Sequence, residues 1–327
     1  MTITLKPLEQ QTIVITGATS GNGLATARNA ARRGASLVLA ARNTDALETI
    51  AEELRGQGAE VAVCPADIAS EEDVERIAHI AIDRFGGFDT WVNDAAVAVY
   101  GRMDEVSMED HRRAFDVNYF GLLKGSLVAA RHLREKGGAI INVGSVLSDR
   151  AMILQGTYSA SKHAVKAATD ALRMELQSDG VPVSVTLIKP SAMHTPYPEH
   201  ARNYLDEPAR LPPILYAAEN PKRQLYIGGN GYLISLGGRF AKRATDKAME
   251  LLGRRLQTDA QQPAPPPARD NLYEPRLDGA IDGHQDYYVR RSSLLLEAQK
   301  HPALAWAAAA AATGMGALWL LRGRGRT

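Results

Sequence analysis

The sequence predicts a doubly wound α/β fold, in which a mostly parallel seven-stranded sheet carries helices on both faces and a C-terminal extension follows. Two observations predict it. Short apolar runs alternate with helical segments over the first two-thirds of the 327 residues, and a glycine-rich loop joins the first run to the first helical segment. Such alternation is typical of βαβ units, whose right-handed crossovers place helices on both faces of the sheet.

The elements follow from this alternation of apolar runs and helical segments. The predicted strands are residues 12–16, 36–41, 60–64, 89–92, 138–144, 182–188 and 224–227. The predicted helices between them are residues 22–33, 43–56, 71–85, 107–133 and 157–178, and a basic helical stretch follows over 232–256. Residues 1–257 therefore form the predicted α/β domain.

Composition excludes several classes of function. The net charge is +1, so nothing indicates a nucleic-acid partner. The only cysteine, Cys64, lies in an apolar run, which excludes an intrachain disulfide and favours a buried structural thiol. No cluster of residues has metal-ligand spacing. The N-terminal residues lack the basic region and apolar core of a secretory signal, so we expect the α/β domain in the cytosol.

A glycine-rich loop follows the first strand. It consists of Gly17, Ala18, Thr19, Ser20, Gly21, Asn22 and Gly23. Glycines let a backbone turn tightly and approach a pyrophosphate, which the N–H groups at the start of the next helix can hold. Three glycines alone are weak evidence, but a strand before the loop, a helix after it and a second strand at the expected distance predict a dinucleotide site.

A serine, a tyrosine and a lysine stand at a spacing that suits proton transfer. Ser145 ends an apolar run, which places its hydroxyl at the carboxyl edge of the sheet, where open α/β sheets bind ligands. Tyr158 and Lys162 are four residues apart and share one face of a helix. A nearby ammonium stabilises a phenolate and lowers its pKa. These three side chains could protonate a carbonyl oxygen while a hydride arrives from elsewhere.

With these motifs the chain resembles the short-chain dehydrogenase/reductase family over residues 8 to 230. The matching positions, in order, are Thr16, Gly17, Gly21, Gly23, Asp67, Asn93, Ala95, Asn118, Ser145, Tyr158, Lys162, Pro190 and Thr195. The resemblance implies a Rossmann-type fold, a nicotinamide cofactor and reversible hydride transfer between an alcohol and a ketone or aldehyde.

The resemblance also implies individual roles. Asp67, with Ile68 beside it, would contact the adenine, although Asp67 could instead be a turn acid before the helix at residue 71. Asn93 and Ala95 would line the adenosine–ribose channel. Pro190 and Thr195 would border the nicotinamide, whose ribose Tyr158 and Lys162 would hold. Asn118 would hold a water that links Lys162 to solvent.

Arg42 decides between the two nicotinamide cofactors. NAD sites usually place a carboxylate about 20 residues past the glycine loop. This chain has Ala41, Arg42 and Asn43 there, with no carboxylate before Asp45. A guanidinium can bind a 2′-phosphate through two charge-assisted bonds. We therefore expect NADP(H), while a solvent-facing Arg42 remains the alternative.

The expected reaction is reduction of a carbonyl, with Tyr158 as general acid and Ser145 stabilising the developing alkoxide. Lys162 would lower the pKa of the phenol. The substrate residues are predicted to be Ser145, Val97, Val99, Leu147, Met193 and Tyr197. Most are apolar, so a lipophilic ketone, aldehyde or alcohol is expected. The alternatives are an NAD-dependent dehydrogenase working in the oxidative direction and a non-catalytic cofactor-binding scaffold at a membrane.

Four positions, in three of the motifs, depart from the family pattern. Asn22 stands where an isoleucine is usual, Asp94 and Ala96 replace an asparagine and a glycine, and Ser191 replaces a glycine. None of these changes removes a group that performs chemistry. Family members commonly assemble through their long helices, here 107–133 and 157–178, so a homo-oligomer is expected.

The C-terminal region has two further parts. Residues 258–301 combine a proline-rich linker with a polar extension in which the sequence indicates no chemistry. Residues 302–321 carry no charge, with Trp306 and Trp319 near the ends. A helix of this length spans a bilayer core, about 30 Å. We expect it to attach the domain to the cytoplasmic face of a membrane. Because alanine is only marginally favourable in lipid, a helix that packs on another subunit remains open, and the protein would then be cytoplasmic.

Overall fold

The computed structural model describes residues 3–190, 202–203, 218–227, 229–257, 270–275, 280 and 294–301. Numbered in chain order, the strands are β1 Thr12–Thr16, β2 Ser36–Ala41, β3 Val61–Pro65, β4 Thr90–Asn93, β5 Val99–Tyr100, β6 Gly138–Val143, β7 Val183–Pro190, β8 Arg202–Asn203 and β9 Gln224–Ile227. The seven predicted strands form one sheet in the order β3-β2-β1-β4-β6-β7-β9, and all its pairs are parallel. The Rossmann-type sheet is therefore confirmed.

The direction of strand addition reverses beside β1. The chain proceeds from β1 outward to β3, then returns to place β4 on the other side of β1. In open α/β sheets, ligands bind outside the carboxyl ends of the strands at such a reversal. The fold thus directs attention to the loops that follow β1, β4 and β6. The short strands β5 and β8, which the sequence did not predict, pair with each other beyond this edge.

The helices cover both faces of the sheet. They are α1 Gly21–Arg32, α2 Thr44–Gly56, α3 Glu71–Phe85, α4 Met108–Phe115, α5 Leu122–Leu133, α6 Gly156–Ser178, α7 Gly229–Phe240, α8 Lys242–Gln257 and α9 Leu294–Lys300. The side chains of Asn43, Ser70 and Ser107 cap α2, α3 and α4 by accepting a backbone N–H from the first turn. Each such cap contributes about 1 kcal/mol.

Two apolar clusters lie on opposite faces of the sheet. Along β1, Val14 belongs to one cluster, while Ile13 and Ile15 belong to the other, and all three are fully buried. Side chains alternate between the faces of a strand, so a strand that is apolar at every position must be covered on both sides. Burying each of these side chains contributes about 1.5–3 kcal/mol. Cys64 is also fully buried, and burial raises the pKa of its thiol, in agreement with a structural role.

Two predicted helices differ in the structure. The predicted helix 107–133 is interrupted by a π-helical turn, Asp116–Gly121, where Gly121 lies so close to Ile68 that an added Cβ would be 2.7 Å from its side chain. The predicted basic helix 232–256 is divided at Ala241 into α7 and α8. The division has a physical reason, because two consecutive residues of the segment after β6 each hold one of these helices. Ser235 of α7 bonds Asp149, and Asp246 of α8 pairs with Arg150.

Asp149 is the centre of a buried polar cluster. Its carboxylate accepts hydrogen bonds from Lys189 at 2.8 Å, Ser235 at 2.6 Å and Tyr226 at 3.2 Å, and it also pairs with Lys166. Burial alone would raise the pKa of Asp149, but the hydrogen bonds from Lys166, Lys189 and Ser235 outweigh it and lower the pKa to about 2. The cluster thereby joins α6, β7, β9 and α7.

Substituting Asp149→Asn is expected to lower the free energy of unfolding at pH 7 by about 2 kcal/mol, because the buried Lys189 ammonium loses its counter-charge. In the unsubstituted protein the pKa of Asp149 is lower in the folded than in the unfolded state. Its stabilisation is therefore complete above about pH 4 and is lost as the pH falls towards 2.

Urea unfolding followed by circular dichroism at pH 7 and pH 3 measures both effects. The matched control is Asp179→Asn, which removes an exposed pair with Arg134 and should change stability by less than about 0.5 kcal/mol. If both substitutions had the same small effect, the polar cluster would not hold α7 and β9 to the core.

Candidate active site

A cavity opens at the carboxyl edge of the sheet, beside the reversal at β1. It collects most of the residues that the sequence predicted for a site. The predicted residues that line it are Gly17, Thr19, Ser20, Gly21, Asn22, Arg42, Asp67, Ile68, Ala95, Val97, Ser145, Tyr158, Lys162 and Pro190. They come from the segments that follow β1, β2, β3, β4 and β6, from α6 and from the end of β7, so the fold brings together what the motifs separately indicated.

Some predicted residues stand behind the cavity wall. The side chain of Asn93 is used inside the fold, where it accepts from Trp91 at 2.8 Å and donates to Ser126 and Asn142. Asn93 therefore shapes the end of β4 and does not itself line the cavity. Leu147 is buried beneath Ser145 and Gly23 packs inside the glycine loop. Met193, Thr195 and Tyr197 lie outside the described residues.

The glycine loop is built for close approach. Gly17 has a φ of +74°, and a Cβ there would lie 2.8 Å from the Ala95 backbone. A Cβ on Gly23 would lie 2.2 Å from the carbonyl oxygen of Gly17. Neither position therefore accepts a side chain, and the loop is held tightly against the N-terminus of α1. The turn presents backbone at the cavity wall, as a pyrophosphate requires.

The donors and acceptors at this end of the cavity fit a dinucleotide. Ser20 precedes α1 without capping it through its side chain, so the first N–H groups of the helix are left to other acceptors. The Oδ1 atom of Asn22 is buried without a hydrogen-bond partner in the described part of the chain. A buried amide oxygen without a partner is unfavourable unless a ligand donates to it. Together with the two glycine contacts, this matches a nucleotide site.

Tyr158 and Lys162 lie one turn apart on α6. The Lys162 ammonium is 5.7 Å from the centre of the Tyr158 ring and donates to the carbonyl oxygen of Val143 at 2.8 Å. Lys162 is 2% exposed, and this burial lowers its pKa to about 8. The spacing predicted from the sequence is confirmed in this respect, because the ammonium is held beside the phenol and its position is fixed by β6.

Asp94 lies close enough to Lys162 for their charges to interact. Burial raises the pKa of Asp94 to about 7, while Lys162 and the backbone N–H of Gly23 act in the opposite direction. The Asp94 Oδ2 atom lies 3.0 Å from the position of a Cβ on Gly23. Asp94, which stands where the family has an asparagine, therefore interacts with the glycine loop at Gly23 on one side and with Lys162 on the other.

Ser145 is fixed just after β6. Its Oγ accepts from the backbone N–H of Leu147 at 3.0 Å, while its own backbone N–H donates to Ser148 at 3.1 Å. A serine hydroxyl has one hydrogen to donate and two lone pairs. Because the bond from Leu147 uses only a lone pair, the hydroxyl hydrogen remains available to an oxygen in the cavity.

Asn118 occupies the π-helical turn and is fully buried. Its Oδ1 accepts from the Val97 N–H at 2.8 Å, and its Nδ2 donates to Val97 at 2.9 Å and to Ser161 at 3.1 Å. Both amide hydrogens are thus used, so the predicted water would have to bond the remaining acceptors of Asn118. The contacts tie the cavity-wall loop after β4, which carries Val97, to α6. π-Helical turns occur frequently at functional sites.

Arg42 directly follows β2, at the far side of the cavity from Tyr158. Its guanidinium donates to the carbonyl oxygens of Asn271, Leu272 and Tyr273, which belong to the C-terminal region. Asp67 lies nearby and pairs with Arg113 at 2.6 Å, while its Oδ1 accepts from the N–H of Ala69. Burial would raise the pKa of Asp67, but these bonds lower it.

Sequence reasoning missed the C-terminal contribution. Residues 258–301 were expected to be a linker and a polar extension, yet Leu272 is fully buried and Asn271 and Pro275 line the cavity. The only signal in the sequence for this packing was Leu272 followed by Tyr273, and a run of two residues is too short to predict that a segment is buried. The predicted division of this region into a linker and a membrane helix stays a prediction.

The family model described as short chain dehydrogenase matches residues 11–205, more than half of the chain. The chain belongs to the short-chain dehydrogenase family. The matched stretch contains the glycine loop, Asn118, Ser145, Tyr158 and Lys162, so the resemblance drawn from the motifs is confirmed. Membership makes the protein an oxidoreductase of this family with a nicotinamide cofactor site.

Individual relatives agree with this assignment. The short-chain dehydrogenase is 43% identical to the uncharacterized oxidoreductase YxnA of Bacillus subtilis (strain 168) over 328 residues, which is 93% of this chain and 92% of that protein. It is 35% identical to 11-beta-hydroxysteroid dehydrogenase A of Sesamum indicum over 180 residues, 54% of this chain and 51% of that one.

A solved structure is also similar. An alcohol dehydrogenase from the archaeon Thermococcus sibiricus, complexed with 5-hydroxy-NADP, superimposes with a TM-score of 0.55 at 32% identity. The match covers 57% of this chain and 78% of that chain.

Within the described ranges, no helix combines the length and the apolar character that crossing a membrane requires. The predicted span, residues 302–321, lies outside those ranges. Membrane attachment therefore stays a prediction.

Proposed function

We propose that this short-chain dehydrogenase is an NADP(H)-dependent oxidoreductase acting on a carbonyl compound or the corresponding secondary alcohol. The observation that carries the proposal is the shared cavity. The glycine loop and Arg42 line one end, and Ser145, Tyr158 and Lys162 line the other. When bound, the nicotinamide supplies or accepts the hydride. The residues of the chain bind the two reactants and move the proton.

The proton passes through Tyr158. In the reductive direction its phenol donates to the carbonyl oxygen, and in the oxidative direction the phenolate accepts the proton of the alcohol. The available hydrogen of Ser145 stabilises the developing alkoxide. Lys162 lies 5.7 Å from the phenol ring and favours the phenolate by its charge. Asn118 holds Val97 and Ser161, so it fixes the wall of the cavity against the helix that carries Tyr158.

The proposed preference for NADP(H) rests on Arg42. The guanidinium lies at the end of β2, in the position where an NAD site usually has a carboxylate. A carboxylate would repel a 2′-phosphate, whereas a guanidinium attracts it. The Thermococcus sibiricus relative, which is complexed with an NADP derivative, supports the same choice.

Substituting Arg42→Asp is expected to weaken NADPH binding about 10- to 100-fold and to change NADH binding by less than about threefold, because only the 2′-phosphate loses its charge-assisted bonds. Dissociation constants from isothermal titration calorimetry of the full chain give the ratio. Arg84→Asp on the exposed surface of α3 is the matched control, with both affinities unchanged. Equal effects on NADPH and NADH would contradict the assignment of Arg42.

The substrate is proposed to be lipophilic. Ala96, Val97 and Val143 give the wall near Tyr158 an apolar character. A relative of the chain is named for a steroid substrate, which supports this class. The test is NADPH oxidation, followed by absorbance, with a panel of lipophilic and small polar ketones and aldehydes. Higher kcat/KM for the lipophilic members is expected. Turnover of polar carbonyls alone would reject the lipophilic class, and no turnover of either set would favour a cofactor-binding scaffold.

Assembly and location complete the proposal. Phe120 and Leu127 on the α5 side, and Met174 on α6, are between 43% and 58% exposed. Apolar side chains exposed on these two helices support a homo-oligomer formed through them. Attachment to the cytoplasmic face of a membrane through residues 302–321 is proposed on the sequence alone.

A further inference from the structure

Residues 270–275 and Ala280, here called the strap, are docked on the cavity. Leu272 is fully buried and belongs to the same apolar cluster as Ile68 and Val117. The Tyr273 hydroxyl donates to Asp110 at 2.7 Å, and Arg113 donates to the carbonyl oxygen of Leu272 at 3.0 Å. The strap is thus anchored by an apolar side chain and by two polar contacts to α4.

The strap places carbonyl oxygens on two donor groups of the cavity. Arg42 donates to Tyr273 at 3.0 Å and to Leu272 at 3.4 Å, and it also bonds Asn271. At the other position, the backbone N–H of Gly21 donates to the carbonyl oxygen of Ala280 at 2.9 Å. Each of these contacts joins two residues that are more than 200 positions apart in the sequence. Both donors line the cavity.

These two donors are the groups that the proposed function gives to the phosphates of the dinucleotide. The guanidinium of Arg42 would hold the 2′-phosphate, and the N–H at the start of α1 would hold the pyrophosphate. A hydrogen that is donated to a strap carbonyl is not available to a phosphate oxygen. The strap also brings the Asp270 carboxylate close enough to interact with the charge of Arg42. A 2′-phosphate would meet that negative charge while the strap is docked.

We propose that the strap is a built-in competitor of the cofactor: its carbonyl groups occupy the phosphate donors, and binding of NADP(H) releases it. This inference rests on the proposed function. The coupling must be reciprocal. The factor by which the docked strap lowers the affinity for NADP(H) is also the factor by which bound NADP(H) weakens docking of the strap. NADPH competes at Arg42 and at Gly21, whereas NADH competes only at Gly21. The strap therefore reduces the affinity for NADPH more than the affinity for NADH.

The match to the Bacillus subtilis relative is relevant to the strap. It covers 93% of this chain, so it continues well beyond the family model, which ends at residue 205. The remaining 7% is shorter than the stretch after Ala280. The alignment of the two proteins therefore extends through the strap.

The test uses the full chain with Leu272→Asp, because a carboxylate cannot remain in the apolar cluster and should release the strap. NADPH is expected to bind about tenfold more tightly than to the unsubstituted protein, a typical coupling between linked equilibria. The NADH affinity should rise by less than about threefold by the same linkage. Calorimetry measures both affinities. Leu251→Asp, at an exposed leucine of α8, is the matched control and should leave both affinities unchanged.

Two further measurements keep the proposal testable if Leu272→Asp does not fold. Tyr273→Phe removes the hydroxyl that bonds Asp110 and should raise NADPH affinity by a smaller factor than Leu272→Asp does. Hydrogen exchange of the unsubstituted protein should show faster exchange in residues 270–275 when NADPH is added. Unchanged or weaker NADPH binding by the variants, or slower exchange in the strap, would overturn the proposal. Failure of the unsubstituted chain to bind NADPH and NADH would overturn the proposed function as well.

Discussion

Substituting Tyr158→Phe is expected to lower kcat about 10³-fold, the middle of the range for loss of a general acid and base, while NADPH affinity changes by less than about threefold. The phenol hydroxyl is the group at this end of the cavity that the proposed reaction requires to exchange a proton. Phenylalanine preserves the ring, so Lys162 keeps its bond to Val143 and α6 keeps its packing. Steady-state kinetics with the preferred carbonyl, together with calorimetric titration of NADPH, separates the two effects.

The matched control for this substitution is Tyr232→Phe. Tyr232 is 37% exposed on α7 and its ring contacts Tyr226 away from the cavity. The substitution Tyr232→Phe also removes a phenol hydroxyl and should leave kcat unchanged. A Tyr158→Phe protein that retained its turnover would show that another group transfers the proton. A protein that lost NADPH binding along with turnover would give Tyr158 a mainly structural role.

Much of the architecture follows from local sequence patterns. The strand 12–16 is apolar at every position, which requires cover on both faces, and the structure places its side chains in two opposite clusters. In the following loop, Gly17 and Gly23 leave no room for a Cβ, and the spacing of the glycines already implied such a close approach of the backbone. Tyr158 and Lys162 lie on one helical face because their separation is one turn. These features depend on neighbours in the sequence, so the sequence alone predicts them.

The remaining features depend on contacts between distant residues. The π-helical turn at Asn118 depends on Val97 and Ser161, which bond its side chain from two other elements. Asn93 was expected in the adenosine channel, but its bonds to Ser126 and Asn142 direct its amide into the fold. The strap bonds reach Arg42 across most of the chain, and no local pattern encodes such a contact. Arg42 lines the cavity, but its role in binding a 2′-phosphate stays a prediction, and sequence reasoning could not identify its partners.

Substituting Lys162→Met is expected to lower kcat at pH 7 about 10²- to 10³-fold and to leave the thermal midpoint almost unchanged. Removing the ammonium deprives the phenolate of its stabilising charge. Stability should be preserved because burial already disfavours this charge, as the lowered pKa of about 8 shows. Between about pH 8 and about 10.4, its pKa in unfolded chains, the unfolded state binds more protons. Stability of the unsubstituted protein therefore rises with pH in this window, and the variant should lose that rise.

The substitution of Lys162 also affects Asp94. Its pKa is already raised to about 7 by burial, and loss of the Lys162 charge will raise it further, so the carboxyl becomes neutral at pH 7 without leaving a charge unpaired. The matched control is Lys166→Met, one turn further along α6, where the ammonium pairs with Asp149. That variant should keep its kcat and lose stability, the opposite pattern. If Lys162→Met instead unfolded the protein while retaining turnover per folded molecule, the ammonium would be a structural bridge between α6 and β6 and not part of the proton-transfer group.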